Sequence, residues 1–288
     1  MPLSFNDLWS QLDLDKVITA IGNLPRGFDT DAARECVYYA AHRWLVRDYE
    51  TIILDAIEEK KTIHNFKYVM DIRGRFNGNG SVKLQEGRSV RVRPFGPLKG
   101  KKLIIDWKTS KNTLDQNWVQ RYHDSWQWRT YLFAEQADVF IYRGIRRRNY
   151  VNGDLETKEV IIHRSEDPRL DEIAANQINL MKAQRDNLIQ LGATPWPMNR
   201  PNACYKYGYQ CKYIDDCWAG TFPVGDLDIS HPVSYSRMEE FLLCPERFRR
   251  NAIARVKVEA EEEESESAAF GNSVHRGLAE IYKQTFKL

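Results

Sequence analysis

The sequence predicts an α/β layered fold, and three features carry that prediction. Helical spacing of aromatic and aliphatic residues over 31–56 gives way at residue 66 to short runs of β-forming residues. Those runs, 66–76 (FKYVMDIRGRF), 89–93 (SVRVR) and 103–107 (LIIDW), come in succession. A Trp- and Gln-rich helix at about 115–136 and another strand at 138–143 (DVFIYR) follow, the order expected where helices cover a sheet.

Residues 1–60 read as mostly helical, with Pro25 and Gly27 dividing a short early helix from the longer one. Residues 77–80 (NGNG) are a strong hairpin signal, and 96–102 (GPLKGKK) form a basic loop. The segment 103–107 is short and largely apolar, as a buried strand is. One more strand is expected at 159–163 (EVIIH) and a long helix at about 168–191. Order then weakens, because 194–224 hold four prolines, three cysteines and many aromatics. Two helices, 235–250 and 268–285, flank a solvated acidic linker at 259–267 (EAEEEESES).

A chain of 288 residues is long enough for one large domain or one domain and part of another. There is no apolar run of membrane-spanning length, so no membrane partner is expected. The N-terminus lacks the basic start and apolar block of a signal peptide, which predicts a cytoplasmic, reducing setting. Five cysteines in that setting point to metal ligands rather than disulfides. Net charge is only +2, so any nucleic-acid surface must be local. Residues 143–148 (RGIRRR) and 88–102 concentrate basic charge and read equally well as a phosphate-tracking surface or as solvated loops.

Asp106 and Lys108 flank Trp107 at the end of an apolar strand, so their side chains share one face. A carboxylate there can hold Mg²⁺ or Mn²⁺, and the amine can orient water and stabilise charge on phosphorus. Taken alone the pair also fits an ordinary surface ion pair. A second carboxylate is needed for tight metal binding, and the two positions that matter are Asp71 and Asn77. Gln127 and Tyr131, four apart on the following helix, share a face and could hold water, phosphate or DNA backbone. Trp118, Trp126 and Trp128 read as core more readily than as base-stacking platforms. Cys204, Cys211 and Cys217 could converge on one metal, with iron–sulfur and zinc both open.

An apolar strand ending in Asp106-Trp107-Lys108-Thr109, followed by Gln127-x-x-x-Tyr131, resembles two successive motifs of the RecB-type PD-(D/E)XK nucleases. The likeness spans about residues 50–220 and rests on order and spacing together. It implies a restriction-endonuclease-like mixed sheet flanked by helices, one or two divalent ions, and cleavage of DNA ends or single strands. The cysteine segment resembles the iron–sulfur staple of that family, in which three late cysteines join an early one around a [4Fe–4S] cluster. Residues 234–250 (SYSRMEEFLLCPERFRR) resemble the family's first helix, with Cys244 in the place of the early cysteine. Residues 270–282 (FGNSVHRGLAEIY) resemble its next motif, with His275 in the place of a metal-site histidine.

In the family those two segments precede the Asp-x-Lys strand, whereas here they follow it. The expected organisation is therefore a nuclease core with its cysteine segment over 1–225, and a helical segment over 232–288. That segment is either the permuted beginning of the same domain or the start of a second copy. The resemblance implies a metal-dependent deoxyribonuclease, an exonuclease of DNA repair, recombination or phage DNA processing. The metal ligands would come from Asp71, Asn77, Asp106 and His275, and the cluster ligands from Cys204, Cys211, Cys217 and Cys244. With Asn77 in the second carboxylate's place, the alternative is an impaired DNA-binding or scaffold relative.

Overall fold

The structure is a computed structural model that describes residues 4–22, 30–63, 66–78, 81–86, 89–94, 98–151, 154–192, 195–198, 204, 210–221, 233–253 and 266–287. Three helices, α1 (Phe5–Trp9), α2 (Leu14–Ile21) and α3 (Thr30–Thr51), lead into strands β1 (Ile52–Ile63) and β2 (Phe66–Phe76). A separate ribbon, β3 (Ser81–Glu86) and β4 (Ser89–Pro94), precedes β5 (Lys102–Ser110). Next come α4 (Gln116–His123), α5 (Trp126–Glu135), β6 (Val139–Val151), β7 (Asp154–His163) and α6 (Leu170–Gln190). The remainder is α7 (Ile214–Ala219), β8 (Val233–Ser234), α8 (Tyr235–Leu243), α9 (Pro245–Phe248), a π turn over Arg249–Ile253, and α10 (Glu266–Phe286).

The main sheet runs β1-β2-β5-β6-β7. β2 is antiparallel to β5, β5 parallel to β6, and β6 antiparallel to β7. This is the mixed sheet flanked by helices that the sequence predicts. The parallel β5–β6 step requires a crossover, which α4 and α5 supply. Among the described residues no helix is long and apolar enough to cross a membrane.

The chain divides into two compact units. The first comprises Met1–Lys60, Val69–Pro168 and Glu264–Leu288, so α10 folds with the N-terminal sheet. The second comprises Lys61–Tyr68 and Arg169–Glu263.

In the first unit, Leu103, Ile105 and Trp107 of β5 and Val139, Ile141 and Ile145 of β6 form one core with α3 and α10. α10 presents Phe270, Val274, Leu278, Ile281 and Tyr282 to that core, the stripe of a helix buried on one side. Its approach is close: a Cβ on Gly277 would stand 2.7 Å from Ile21 Cγ1 and 2.8 Å from Val37 Cγ2. Beneath it lies an ion network. Arg143 of β6 is fully buried and donates to Asp48 Oδ2 and Oδ1 at 2.5 and 2.7 Å, to Glu159 Oε1 at 2.9 Å and to Tyr282 Oη at 3.1 Å.

In the second unit, Glu246 is fully buried. Its carboxylate accepts from the Trp196 N–H at 2.8 Å and from both Arg249 and Arg250. Arg250 also donates to Asp216 at 3.0 Å and to the Thr221 carbonyl at 2.7 Å, which ties the π turn to α7. β8 adds a short parallel pairing to the start of β2, Phe66 opposite Val233.

Three expectations are corrected. The helical reading of residues 1–60 fails after Thr51, where Ile52–Ile63 is a strand held by its place beside β2. The single helix over 115–136 is two, because Asp124 ends α4 and the Ser125 side chain caps α5 by accepting from the Gln127 N–H. The phosphate-tracking reading of 143–148 fails at three of its arginines. Arg143 is in the buried network, Arg146 pairs with Glu156 at 3.0 Å, and Arg147 stacks 4.5 Å from the Phe270 ring centre.

Candidate active site

β5 is apolar through Leu103–Ile105 because a central strand is covered on both faces. After the exposed Lys102 at its start, polar side chains return only towards its carboxyl end, where an open α/β sheet leaves room for a ligand. Lys108 Nζ lies 2.5 Å from Asp106 Oδ2, so the two side chains share a face as strand alternation demands. Trp107 turns the other way and meets Tyr282 with ring centres 5.4 Å apart.

β2 and β5 part at this end. Their register runs from Arg75 opposite Lys102 to Ile72 opposite Ile105. Just beyond, the Trp107 N–H donates to Asp71 Oδ2 at 2.6 Å, so a side chain satisfies a backbone group that the ladder has released. The other oxygen, Asp71 Oδ1, is 3.3 Å from His275 Nδ1 on α10. His275 follows Val274 of the buried stripe and rests its ring 6.1 Å from that of Trp107.

The capping of α5 at Ser125 aims Gln127 at the sheet. Its Nε2 donates to Asp106 Oδ1 at 2.9 Å. Tyr131, one turn later, is 5% exposed, and its ring centre is 6.0 Å from that of Phe140. Its hydroxyl engages Gln127 and the backbone of Val69, and burial pushes its pKa up to about 12.

Electrostatics divide the two carboxylates. Burial raises the Asp106 carboxyl and the Asp71 charge adds to that, while Lys108 pulls downward without cancelling it. Burial also works to raise Asp71, but the charge and hydrogen bond of His275 outweigh it and hold the group below the usual range. His275 itself is raised: burial opposes its proton, and the Asp71 and Asp106 charges prevail. Lys108 is held above its ordinary value, since Asp106 overcomes the cost of burial. Lys108 is therefore an ammonium, suited to orienting and neutralising rather than to taking a proton.

The structure thus brings together Asp71, Asp106, Lys108, Gln127 and His275. It does not bring Asn77. That residue lies beyond Arg75 and Lys102, the far end of the pairing, and Lys102 is four residues or about 13 Å of strand from Asp106. Asn77 instead donates its Nδ2 to the Glu50 carbonyl at 2.6 Å and its N–H to Thr51 at 3.0 Å. Tyr131 reaches Gln127 rather than the surface. Two residues not singled out by sequence adjoin the site. Tyr142 stands opposite Asp106 in the β5–β6 register, and the Tyr122 ring packs against Tyr142 at a 45° tilt with ring centres 4.8 Å apart. Only a tyrosine in the apolar run VFIYRGI hinted at the first, and nothing at the second.

A divalent cation is tested by the state of Asp106. Its Oδ2 is buried and accepts no well-directed hydrogen bond, although Lys108 Nζ is close. Two neighbouring buried carboxylates, each now balanced by a cationic side chain, fit a hard cation that would take over part of that balance. Among the described residues no group of three or more His, Cys, Asp or Glu side chains stands ready as a metal site. The fit is therefore that of the carboxylate pair, with Lys108 and His275 now supplying the positive charge. The same absence holds for the cysteines. The Cys211 N–H donates to the Cys204 carbonyl at 2.6 Å, and Cys217 and Cys244 sit on α7 and at the start of α9. Their thiols form no ligand set among the described residues.

A family model of the PD-(D/E)XK nuclease superfamily matches residues 232–287, the stretch that contains α8, α9 and α10. That match supports the superfamily resemblance for the part of the chain that delivers His275. No curated protein and no solved structure matches the chain.

Proposed function

We propose that the chain is a metal-dependent deoxyribonuclease that hydrolyses phosphodiester bonds at DNA ends or in single strands. The observation that carries this reading is the cluster at the parted ends of β2 and β5. Two buried carboxylates, Asp71 and Asp106, meet an ammonium, Lys108, which lies 2.5 Å from Asp106 Oδ2.

Asp106 and Asp71 would hold Mg²⁺ or Mn²⁺, with His275 beside Asp71. Once bound, such an ion polarises phosphate and makes water more acidic. Lys108 keeps its proton, so its part is to orient the attacking water and offset negative charge gathering on phosphorus. Gln127 fixes the Asp106 carboxylate by donating to Oδ1 at 2.9 Å. Asp71 is locked by the Trp107 N–H, which spares it from reorganising when substrate arrives.

The permuted order belongs to this reading. α8 to α10 would be the beginning of the nuclease domain, transferred to the end of the chain, and α10 would complete the sheet that precedes it. It is supported by the packing of α10 on β5 and α3 and by the family match over 232–287. A shared thiolate centre on Cys204, Cys211, Cys217 and Cys244 belongs to this reading on the family resemblance of their sequence segments alone. No chemistry is derived from it, and metal analysis with a visible absorption spectrum decides between iron and zinc.

The direct test is purified protein with Mn²⁺ and labelled linear single- and double-stranded DNA. Cleavage that disappears in Lys108→Ala is the expected result. Intact DNA binding with no cleavage by the wild type would replace the enzyme with a DNA-binding protein of the same fold.

A further inference from the structure

We propose that Tyr122 is a stacking ring for a nucleobase next to the Lys108 ammonium, so that the site takes unpaired nucleotides. The inference rests on the nucleic-acid reading of the Asp106 site and names the form of substrate that site accepts.

Gly144 sets the position of the neighbouring aromatic rings. In the β5–β6 register Gly144 lies opposite Lys108, and Tyr142 lies opposite Asp106. A side chain at 144 is excluded because the Trp118 ring already fills the space: a Cβ there would stand 2.5 Å from Trp118 Cζ2. The indole of α4 is thereby wedged against the strand that neighbours Lys108. Tyr122 comes four residues after Trp118, on the same helix face. Its ring centre is 4.6 Å from that of Trp118 and 4.8 Å from that of Tyr142.

The three rings differ in exposure. Trp118 is 5% exposed and Tyr142 is fully buried, whereas Tyr122 is partly exposed. It is the outer ring of an aromatic cluster whose inner members brace it. Lys108 Nζ lies 5.9 Å from the centre of the Tyr142 ring, the same ring against which Tyr122 packs at 4.8 Å. A braced, partly exposed aromatic ring beside a cation that would touch phosphate is the arrangement by which proteins hold single strands, with charge for the backbone and a ring face for a base. A base pair inside a duplex keeps both faces in the stack, and its bases cannot use such a ring without leaving it.

The experiment measures binding of the full chain to fluorescein-labelled single-stranded oligonucleotides by anisotropy, with Ca²⁺ replacing Mn²⁺. Each oligonucleotide is prepared intact and with abasic spacers throughout. Tyr122→Ala should weaken binding of the intact strand about tenfold or more, the usual effect of losing one stacked base. Tyr122→Phe should bind within about twofold of wild type, because the ring is retained. The abasic strand should bind wild type as weakly as Tyr122→Ala does and lose nothing further in that variant. If Tyr122→Ala does not fold, Tyr122→Leu keeps an apolar cover over Trp118 and serves the same comparison. Equal affinity of wild type and the ring-less variant, or equal losses on intact and abasic strands, overturns the proposal. A parallel Mn²⁺ cleavage assay keeps the two readings apart. Base-dependent binding without cleavage removes the nuclease and leaves the stacking ring. Cleavage with base-independent binding does the reverse.

Discussion

Asp71 Oδ2 accepts the Trp107 N–H at 2.6 Å, so the strand that carries Asp106 and Lys108 also holds the second carboxylate, through its own backbone. Structure and chemistry can therefore be separated at this position. Asp71→Asn keeps an oxygen for the Trp107 N–H but removes the charge. We expect stability within about 1 kcal/mol of wild type and cleavage lowered at least about 100-fold. Asp71→Ala strands a buried N–H and should cost about 1–3 kcal/mol as well as activity. Urea unfolding and Mn²⁺-dependent cleavage of the same preparations check both. Full activity in Asp71→Asn would remove this residue from the metal site.

Arg143 is buried with Asp48, and Tyr282 joins them by donating to Asp48 Oδ2 at 2.5 Å. Removing the arginine leaves the buried Asp48 carboxylate with only the more distant Arg47, 3.5 Å away, so Arg143→Met should lose about 3 kcal/mol. The double variant Arg143→Met/Asp48→Leu removes both charges and should be less damaging than the sum of its single changes. Denaturant titration of the four proteins gives the coupling directly; simple additivity would mean that the pair does not act as a unit.

Glu159 gives a pH dependence of definite sign. Burial alone would raise its carboxyl, but Arg47 and Arg143 outweigh burial and lower it from 4.5 to about 2. The unfolded chain therefore binds protons at higher pH than the folded one. The contribution is complete above about pH 4.5 and is lost as pH falls through about 2. The shift corresponds to roughly 3 kcal/mol. Unfolding free energies measured from pH 6 to pH 2 should decline across that window, with a smaller decline in Glu159→Gln. An unchanged profile in that variant would shift the effect to other carboxylates.

The sheet was readable where one strand's own sequence decides its fate. Residues 103–107 are an apolar run, and 66–76 agree with β2 end to end. β1 was not readable, because IILDAIEEKKTI follows α3 without a breaker and its Glu and Lys residues favour a helix. Pairing in the sheet overrides that local preference, and Glu58 at φ 48° marks an irregular position within the strand. Asp106, Lys108 and Gln127 were recognisable as candidates because spacing alone puts residues on one face. The choice between Asp71 and Asn77 was not, since it depends on the β2–β5 register and on where the two strands part. The buried role of Arg143 was hidden for a similar reason: a basic run looks solvated until a helix from the other end of the chain covers it.

Tyr131 is where spacing and structure assign different work. As the last residue of Gln127-x-x-x-Tyr131 it was expected to touch DNA, yet it is 5% exposed and its hydroxyl engages Gln127. Through Gln127 it can steady the Asp106 carboxylate, which accepts from Gln127 Nε2 at 2.9 Å. Tyr131→Phe should therefore lower kcat about tenfold, the scale of a lost supporting hydrogen bond at a metal site, and leave KM for DNA within about twofold. Gln127→Ala should lower kcat further, because Asp106 Oδ1 then loses its donor outright. Adding Tyr131→Phe to Gln127→Ala should change nothing more, since the hydroxyl acts through the amide. Steady-state kinetics on a labelled single strand would read all three. A raised KM with unchanged kcat in Tyr131→Phe would return that tyrosine to the DNA and disconnect it from Asp106.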